Sequence, residues 1–265
     1  MKKHIPTEFV FQMASLLIAV IFVHGIYVAV VRPNAAAIIE EQQIQIEENP
    51  DYVPERAFFV IIRDFEQEAC FVLMLWAMSI LGYKAYAASR ERALLQQDLV
   101  PIAEGMRILP EDTREYARQI QALPEDEKGL LLPRVLLSAL QRFGATRNVQ
   151  DVSSSAHTLV ESEAERLESE LSMIRYIAWA IPSIGFIGTV RGIGAALGQA
   201  HRAVEGDISG VTENLGIAFN STFIALLLSI VLMFLVHQLQ LQQERLVFET
   251  ETYTDDHLIR HLQSG

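Results

Sequence analysis

The sequence predicts an all-α membrane protein with four transmembrane helices and a helical cytoplasmic domain. Hydrophobic residues make up 51% of the 265 residues, and they concentrate in a few long stretches with almost no charge, as membrane spans do. A polar segment between the second and third stretches is interrupted by prolines, which favours several short helices. Amphipathic patterns adjoin the last two stretches, so these helices should be long and extend into the cytoplasm.

The first stretch, residues 9–31, exceeds the roughly 30 Å hydrocarbon core at about 1.5 Å of rise per residue. It ends in Arg32-Pro33-Asn34, which we interpret as a turn, and no small-residue cleavage site precedes it, so the segment should be retained. The second stretch, residues 67–88, is long enough to span if the Lys84 side chain extends to the interface. The chain's single cysteine, Cys70, should be a buried, inert thiol.

Basic residues beside the spans predict the orientation, because cytoplasmic flanks are enriched in Lys and Arg. These residues are Lys2, Lys3, Lys84, Arg90, Arg92 and Arg175. All fall on one side, so both termini should be cytoplasmic. The predicted segments are a cytoplasmic tail (1–8), the first span, an external loop (32–66), the second span, a cytoplasmic helical domain (89–173), a third span (174–198), an external turn (199–214), a fourth span (215–237) and a cytoplasmic C-terminal helix (238–265).

Two amphipathic helices should border the membrane on the cytoplasmic side. Val160, Leu167 and Ile174 follow the 3.6-residue period of a helix, with acids between them. This pattern predicts one helix that runs without a break into the third span. Leu239 and Leu246 indicate a similar continuation of the fourth span.

Composition also limits the possible functions. The formal net charge is -12, and no Lys/Arg-rich run could neutralise a phosphate backbone, so no nucleic-acid partner is expected. No nucleophile–base pair, HExxH motif or phosphate-binding loop occurs, so we expect neither an enzyme nor a bound cofactor or metal. His157 and His201 lack catalytic companions. We interpret His24, within the first span, and His237 as packing or interfacial residues.

The last two spans carry narrow faces of small, mildly polar residues. These are Pro182, Gly185, Thr189 and Gly192 in the third span, and Ala218, Ser221, Thr222, Ala225 and Ser229 in the fourth. In one interpretation both faces are helix-packing interfaces, with each hydroxyl bonded to carbonyls of its own helix. In the other, several subunits around an axis bring these faces together as a narrow polar path for ions.

Charged residues are scarce within the spans. Arg191 either reaches the external interface along its helix or pairs with an acid, such as Asp207 or Glu205 on the outer turn, or with an acid of a partner. No Asp or Glu lies within the predicted hydrocarbon cores. A proton pathway would therefore need a carboxylate from another chain.

The segment from Ile181 to Ile193, IPSIGFIGTVRGI, resembles the signature of the MotA/TolQ/ExbB proton-channel family, in which a proline-initiated run opens a pore-lining helix. The segment from Gly216 to Leu226, GIAFNSTFIAL, is similar to the family's next pore helix. The resemblance covers residues 174–240. The four predicted spans, with a cytoplasmic domain between the second and third, are similar to the flagellar stator type.

The resemblance implies a ring of five subunits in a bacterial inner membrane, with the external side in the periplasm. It further implies two copies of a single-span partner of the MotB/TolR/ExbD kind, whose aspartate faces the threonines at positions 189 and 222. The transported ion would be H⁺ or Na⁺. Ile217 stands near where ExbB-type proteins have a glutamate, and Arg191 where they have an aromatic residue. Their ion pathway therefore cannot be transferred whole.

We expect an ion-conducting, stator-like subunit of a two-component motor that converts an ion gradient into rotation or force. The alternative is a non-conducting membrane scaffold or signal transducer, in which the glycine-rich helices only hold an oligomer together.

Overall fold

The computed structural model describes residues 7–49, 52, 55–102 and 106–263. Within them the chain is helical apart from short connections and one isolated bridge between Ile108 and Leu262. The helices are α1 (Thr7–Ile26), a π-helical turn (Tyr27–Val31), α2 (Arg32–Glu48), α3 (Phe58–Ile61), α4 (Phe65–Leu94), α5 (Thr113–Gln121), α6 (Glu125–Lys128), α7 (Leu131–Thr146), α8 (Val149–Glu170), α9 (Ser172–Gly198), α10 (Ala200–Val204), α11 (Ser209–His257) and a 3₁₀ turn (Ile259–His261).

Four of the described helical segments are long and apolar enough to cross a membrane. The prediction of an all-helical membrane protein with four spanning helices is therefore confirmed. Lys2 and Lys3, which contribute to the predicted orientation, lie outside the described residues. The chain divides into two compact units: one comprises the residues up to 81 together with 173–236, and the other 82–172 together with the residues from 237 onward.

The first spanning helix continues past the predicted turn at Arg32-Pro33-Asn34, and that prediction is wrong. The Arg32 N–H donates to the carbonyl of Tyr27, five residues earlier, which widens the helix into a π turn. Pro33 follows Arg32 directly, where the backbone returns to the α-helical hydrogen-bond pattern. The missing N–H of the proline therefore costs the helix little stability. The Asn34 amide donates to the Val30 carbonyl over 2.7 Å. The predicted external loop therefore begins as the helix α2.

The π turn also keeps one face of this helix packed. The buried residues recur at every fourth position: Ala19, Val23, Tyr27, Val31 and Ala35. Four residues of regular α-helix rotate by about 400°, so such a stripe drifts by about 40° at each step. The extra residue in the π turn rotates the following residues back toward the buried face and so cancels part of this drift. Val31 and Ala35 consequently stay buried.

Helix α4 packs within the first unit on the third spanning helix. Cys70 is fully buried, and its thiol donates to the Ile181 carbonyl over 3.6 Å. The Trp76 indole N–H donates to the Gln12 carbonyl of α1 over 2.9 Å. Cys70 is thus the buried thiol that the sequence predicts.

The second unit has a core of its own around α7. Leu136, Leu140 and Phe143 are fully buried and pack on residues of α5 and on Val152 of α8. The hydroxyl of Tyr253 in α11 accepts a hydrogen bond from the Leu99 N–H and donates to the Gln97 carbonyl, each over 3.0 Å. The segment that follows α4 is therefore fixed to the end of α11.

One expectation for this unit is corrected. The helix that was expected to run unbroken into the third span is interrupted at Leu171, between the end of α8 and the start of α9. Lys84 has an acidic partner: its side chain is only 4% exposed and its ammonium lies 2.8 Å from a Glu170 oxygen. The adjacent carboxylate offsets part of the cost of burying the ammonium.

Glu163 lies at the centre of a buried ion-pair network in α8. Its carboxylate accepts from the guanidinium groups of Arg166 and Arg134 and is only 3% exposed. Burial by itself raises the pKa of Glu163, but the hydrogen bond and charge of Arg166, helped by Arg134, hold the pKa below its ordinary value. The carboxylate therefore contributes stability while it is ionised.

We expect Glu163→Gln to lower the free energy of unfolding of the full chain at pH 7 by about 1–2 kcal/mol, because Arg166 loses one of its two charged acceptors but keeps Glu170 and stays half exposed. Since the folded-state pKa is depressed, this contribution is present above the unfolded-state pKa of about 4.3 and is lost as the pH falls through the folded-state value. Thermal unfolding in detergent across this pH range would measure it. Glu125→Gln is the matched control, because Glu125 is 90% exposed.

Candidate ion-pathway site

Helices α9 and α11 approach each other closely at three glycines. A Cβ on Gly188 would lie 2.6 Å from the Ser221 Cβ, and one on Gly192 would lie 2.7 Å from the Ala218 Cβ. A Cβ on Gly185 would collide directly with that of Ala225. Glycine costs a helix about 1 kcal/mol relative to alanine, and close packing of the two backbones offsets this cost. The two small-residue faces therefore meet within one chain.

Thr189 and Thr222 join the two helices where these faces meet. The Thr189 hydroxyl lies 3.0 Å from the Ala218 carbonyl of α11, and the Thr222 hydroxyl lies 3.1 Å from the Gly185 carbonyl of α9. Each hydroxyl thus reaches the carbonyl four residues before the other threonine. The two hydroxyl oxygens also form a hydrogen bond with each other.

This arrangement has more acceptors than donors. Each hydroxyl carries one proton, whereas two carbonyls and two hydroxyl oxygens can accept. When one threonine donates its proton to the hydroxyl oxygen of the second, the second threonine can donate only to a carbonyl. The pair can therefore change its donor direction without moving a backbone atom, which suits a polar surface that must bind and release a passing ion.

The structure places the predicted site residues in two groups. Gly185, Gly192, Ala218, Ser221 and Ala225 are buried in the contact between α9 and α11. They position the threonines and present no open surface within the chain. The half-buried group comprises Thr189, Thr222, Pro182 and Ser229. The Ser229 hydroxyl donates to the Ala178 carbonyl over 3.1 Å. These four are the site residues that a second chain could contact.

Arg191 forms a bidentate ion pair beside this site. Its Nε and one terminal nitrogen lie 2.6 Å and 2.9 Å from the two carboxylate oxygens of Glu66, at the start of α4. Glu66 in turn packs 3.1 Å from where a Cβ on Gly188 would stand. The predicted intrachain partners, Asp207 or Glu205, are therefore wrong.

Asp207 has a local role at the start of α11. Its carboxylate accepts from the hydroxyl and the backbone N–H of Ser209, and these bonds lower the pKa of Asp207. This is the usual way in which an acid caps the first turn of a helix. One of the two acids that the sequence suggested as partners of Arg191 is thus already occupied.

A second polar cluster was missed by sequence reasoning. Glu68 is buried and accepts hydrogen bonds from Arg32, and it lies 2.7 Å from Nδ1 of His24. His24, which the sequence suggested as a packing or interfacial residue, thus has an acidic partner on α4. The available signal was the pair of acids at the start of the second span, Glu66 and Glu68, facing a histidine and an arginine in the first spanning helix.

Across residues 7–49, 52, 55–102 and 106–263, no three His, Cys, Asp or Glu side chains come together as metal ligands. The polar groups at the junction of α9 and α11 are the hydroxyls of Thr189 and Thr222 and the carbonyls of Gly185 and Ala218. These groups can form hydrogen bonds.

Comparison with known families gives a match that includes α9 and most of α11. Residues 128–252 match the MotA/TolQ/ExbB proton channel family. The match begins at the end of α6 and covers α7 to α10 and most of α11, including the threonine pair, whereas the first two spans lie outside it. No curated protein and no solved structure gives a significant match to the chain. The resemblance of residues 174–240 to the MotA/TolQ/ExbB proton channel family is therefore supported by a family match over residues 128–252.

Proposed function

We propose that this protein is the ion-conducting, stator-like subunit of a two-component motor in a bacterial inner membrane, with both termini in the cytoplasm. The observation that carries the proposal is the coupled pair of hydroxyls of Thr189 and Thr222, half-buried at the joint of α9 and α11 within the segment that matches a proton channel family. The conducted ion is H⁺ or Na⁺, since hydroxyl ligands are compatible with either.

The carboxylate that carries the ion comes from a partner chain. Neither 174–198 nor 215–237 contains an Asp or Glu, and both acids at the start of α4 are occupied, Glu66 by Arg191 and Glu68 by Arg32 and His24. A single-span partner of the MotB/TolR/ExbD kind, with an aspartate in its membrane helix, supplies the missing group. A ring of five subunits around two copies of this partner would place each threonine pair in turn beside that aspartate.

Ion binding at the aspartate drives the movement. Neutralising the acid lets the partner's helix pass from one subunit's threonine pair to the next before the ion is released inward. One elementary charge that falls through 100 mV supplies about 2.3 kcal/mol, so the barrier between adjacent subunits must be low. Small residues around Thr189 and Thr222 keep that barrier low because no large side chain obstructs the partner.

The test is to co-express the full chain with the product of a neighbouring gene that encodes one N-terminal span bearing an aspartate. Imaging of the purified complex should show five copies of this chain around a foreign helix pair. Ion flux in liposomes should require both proteins and the partner's aspartate. A complex without a central helix, or one that conducts nothing, would contradict the proposal.

A second function is favoured by one observation. The buried glycines of α9 contact α11 of the same chain, and such packing is also what a non-conducting scaffold or signal transducer needs. If the protein is such a scaffold, its oligomer should be equally stable with and without the partner. Flux measurements on the purified complex separate the two.

A further inference from the structure

The first spanning helix and α4 hold a polar cluster that the proposed ion route does not use. Glu68 is 8% exposed and accepts a hydrogen bond from the Arg32 guanidinium. Its other oxygen lies 2.7 Å from Nδ1 of His24. The Arg32 guanidinium is itself held over the ring of Phe65, 4.6 Å from its centroid, and near Tyr27. The carboxylate is therefore fixed between one permanent cation and one titratable ring.

The π turn brings these groups together. His24 and Arg32 are eight residues apart, which in a regular α-helix would rotate their side chains by about 800° and separate them by about 80° around the axis. The π turn at Tyr27–Val31 absorbs about one extra residue. The separation then falls to about 20°, so both side chains reach Glu68 from the same face.

The hydrogen-bond chemistry fixes the tautomer of His24. Glu68 is ionised beside Arg32, and an ionised carboxylate can only accept hydrogen bonds. Nδ1 of His24 must therefore carry the hydrogen, which leaves Nε2 of the neutral ring as an unprotonated base. The His24 side chain is 59% exposed within the single chain, so no packed core of this chain covers the base.

Other polar groups nearby are compatible with water at the cluster. The hydroxyl of Tyr27 and Oε1 of Gln67 are buried and have no hydrogen-bond partner among the described residues. Buried polar atoms of this kind usually bind water. The remaining ionisable groups that face the cluster are Asp64 and Cys70, near Tyr27, while Arg191 of α9 is occupied by Glu66. None of these replaces Glu68 as the partner of His24.

We propose that His24 and Glu68 form a proton-acceptor pair, in which Glu68 orients the imidazole and His24 Nε2 takes up a proton from the open face of the first spanning helix. The proton comes from water or hydronium at that surface, a new N–H bond forms at Nε2, and the resulting imidazolium pairs with the Glu68 carboxylate. Deprotonation returns the same proton to water. This site is separate from Thr189 and Thr222 and does not depend on the proposed conduction.

Solid-state ¹⁵N NMR on the full-length, ¹⁵N-histidine-labelled protein in lipid bilayers tests the proposal. Neutral His24 should show a protonated Nδ1 and an unprotonated Nε2, and Nε2 should take up a proton when the bilayer samples are acidified, while Nδ1 keeps its own. His24→Asn identifies the signal by its loss, because the asparagine amide keeps a donor to Glu68 but lacks Nε2. His24→Gln is a second assignment variant if the first does not fold. His201→Asn, at an exposed position of α10, should remove a different signal.

Glu68→Gln gives the decisive contrast. Arg32 can only donate, so it selects the amide oxygen of the new side chain and turns the amide nitrogen toward His24. Nδ1 then becomes an acceptor, and the hydrogen of neutral His24 should move to Nε2. A wild-type ring with its hydrogen on Nε2, an Nε2 that takes up no proton on acidification, or an unchanged tautomer in Glu68→Gln would each overturn the proposal. Thr189→Val should leave the His24 signal unchanged, so failure of the proposed conduction would not affect this result.

Discussion

Thr189→Val and Thr222→Val are each expected to reduce ion flux to the background level while leaving the protein folded and assembled. Valine has the size and shape of threonine but lacks the hydroxyl, so the interhelical bonds to Ala218 and Gly185 are lost without a change in packing. Side-chain hydrogen bonds between membrane helices average about 0.6 kcal/mol, so stability should change little. Liposome flux with the co-purified partner measures the effect, and thermal unfolding measures stability.

Three further variants make this result specific. Thr189→Ser and Thr222→Ser keep the hydroxyl and should retain flux. Thr212→Val, near the start of α11, removes an exposed hydroxyl that bonds only to carbonyls of its own helix, and it should conduct normally. Normal flux in both valine variants at the site would contradict the role of the threonine pair.

Gly185→Ala is expected to destabilise the protein by about 1–3 kcal/mol and to abolish flux, because the new methyl group would clash with the Ala225 Cβ. Helices α9 and α11 must then separate, which breaks the hydroxyl pair of Thr189 and Thr222. Thermal unfolding and liposome flux of the complex with the partner measure the two effects. Gly194→Ala, in the same helix, has nothing within 4 Å of the new atom. It should be neutral or stabilise by up to about 1 kcal/mol through helix propensity.

A compensating change tests the mechanism directly. Ala225→Gly removes the atom with which Gly185→Ala collides, and the remaining contacts of the new methyl group lie at 3.1 Å and 3.3 Å. The double variant should therefore recover most of the lost stability and flux. If it does not, close approach of the two helices is not what Gly185 provides.

The sequence was sufficient for the features that are local. Long uncharged stretches predicted the four spanning helices, and the spacing of small residues predicted that α9 and α11 carry faces suited to close packing. Those patterns depend only on residues that are close together in the sequence, so no knowledge of the tertiary structure was needed. The same patterns could not decide which of these residues would be buried, because that depends on the partner helix.

Pairings between distant residues could not be predicted. Arg191 binds Glu66, which is far away in sequence, whereas the nearest acids had been expected as partners. His24 appeared to be isolated because its partner lies on another helix, and the relative register of two helices is not encoded in either one alone. Pro33 was interpreted as part of a turn because proline usually interrupts a helix. Here the helix accepts the proline because the π hydrogen bond of Arg32 precedes it. In each case a tertiary or medium-range contact overrode a local preference.

The widened turn at Tyr27–Val31 also sets the rotational phase of everything that follows in the same helix. Deleting one residue there would restore a continuous α-helix and leave the side chains from Arg32 to Glu48 in nearly their present directions, because seven residues of α-helix rotate by about 700°, as the eight with the π turn do. Regularising the turn without a deletion would instead rotate those side chains by about 100°, which would turn Ala35 outward and take Arg32 away from the carboxylate. Chimeras that graft this segment onto a regular helix must therefore keep the whole π turn or leave out one residue.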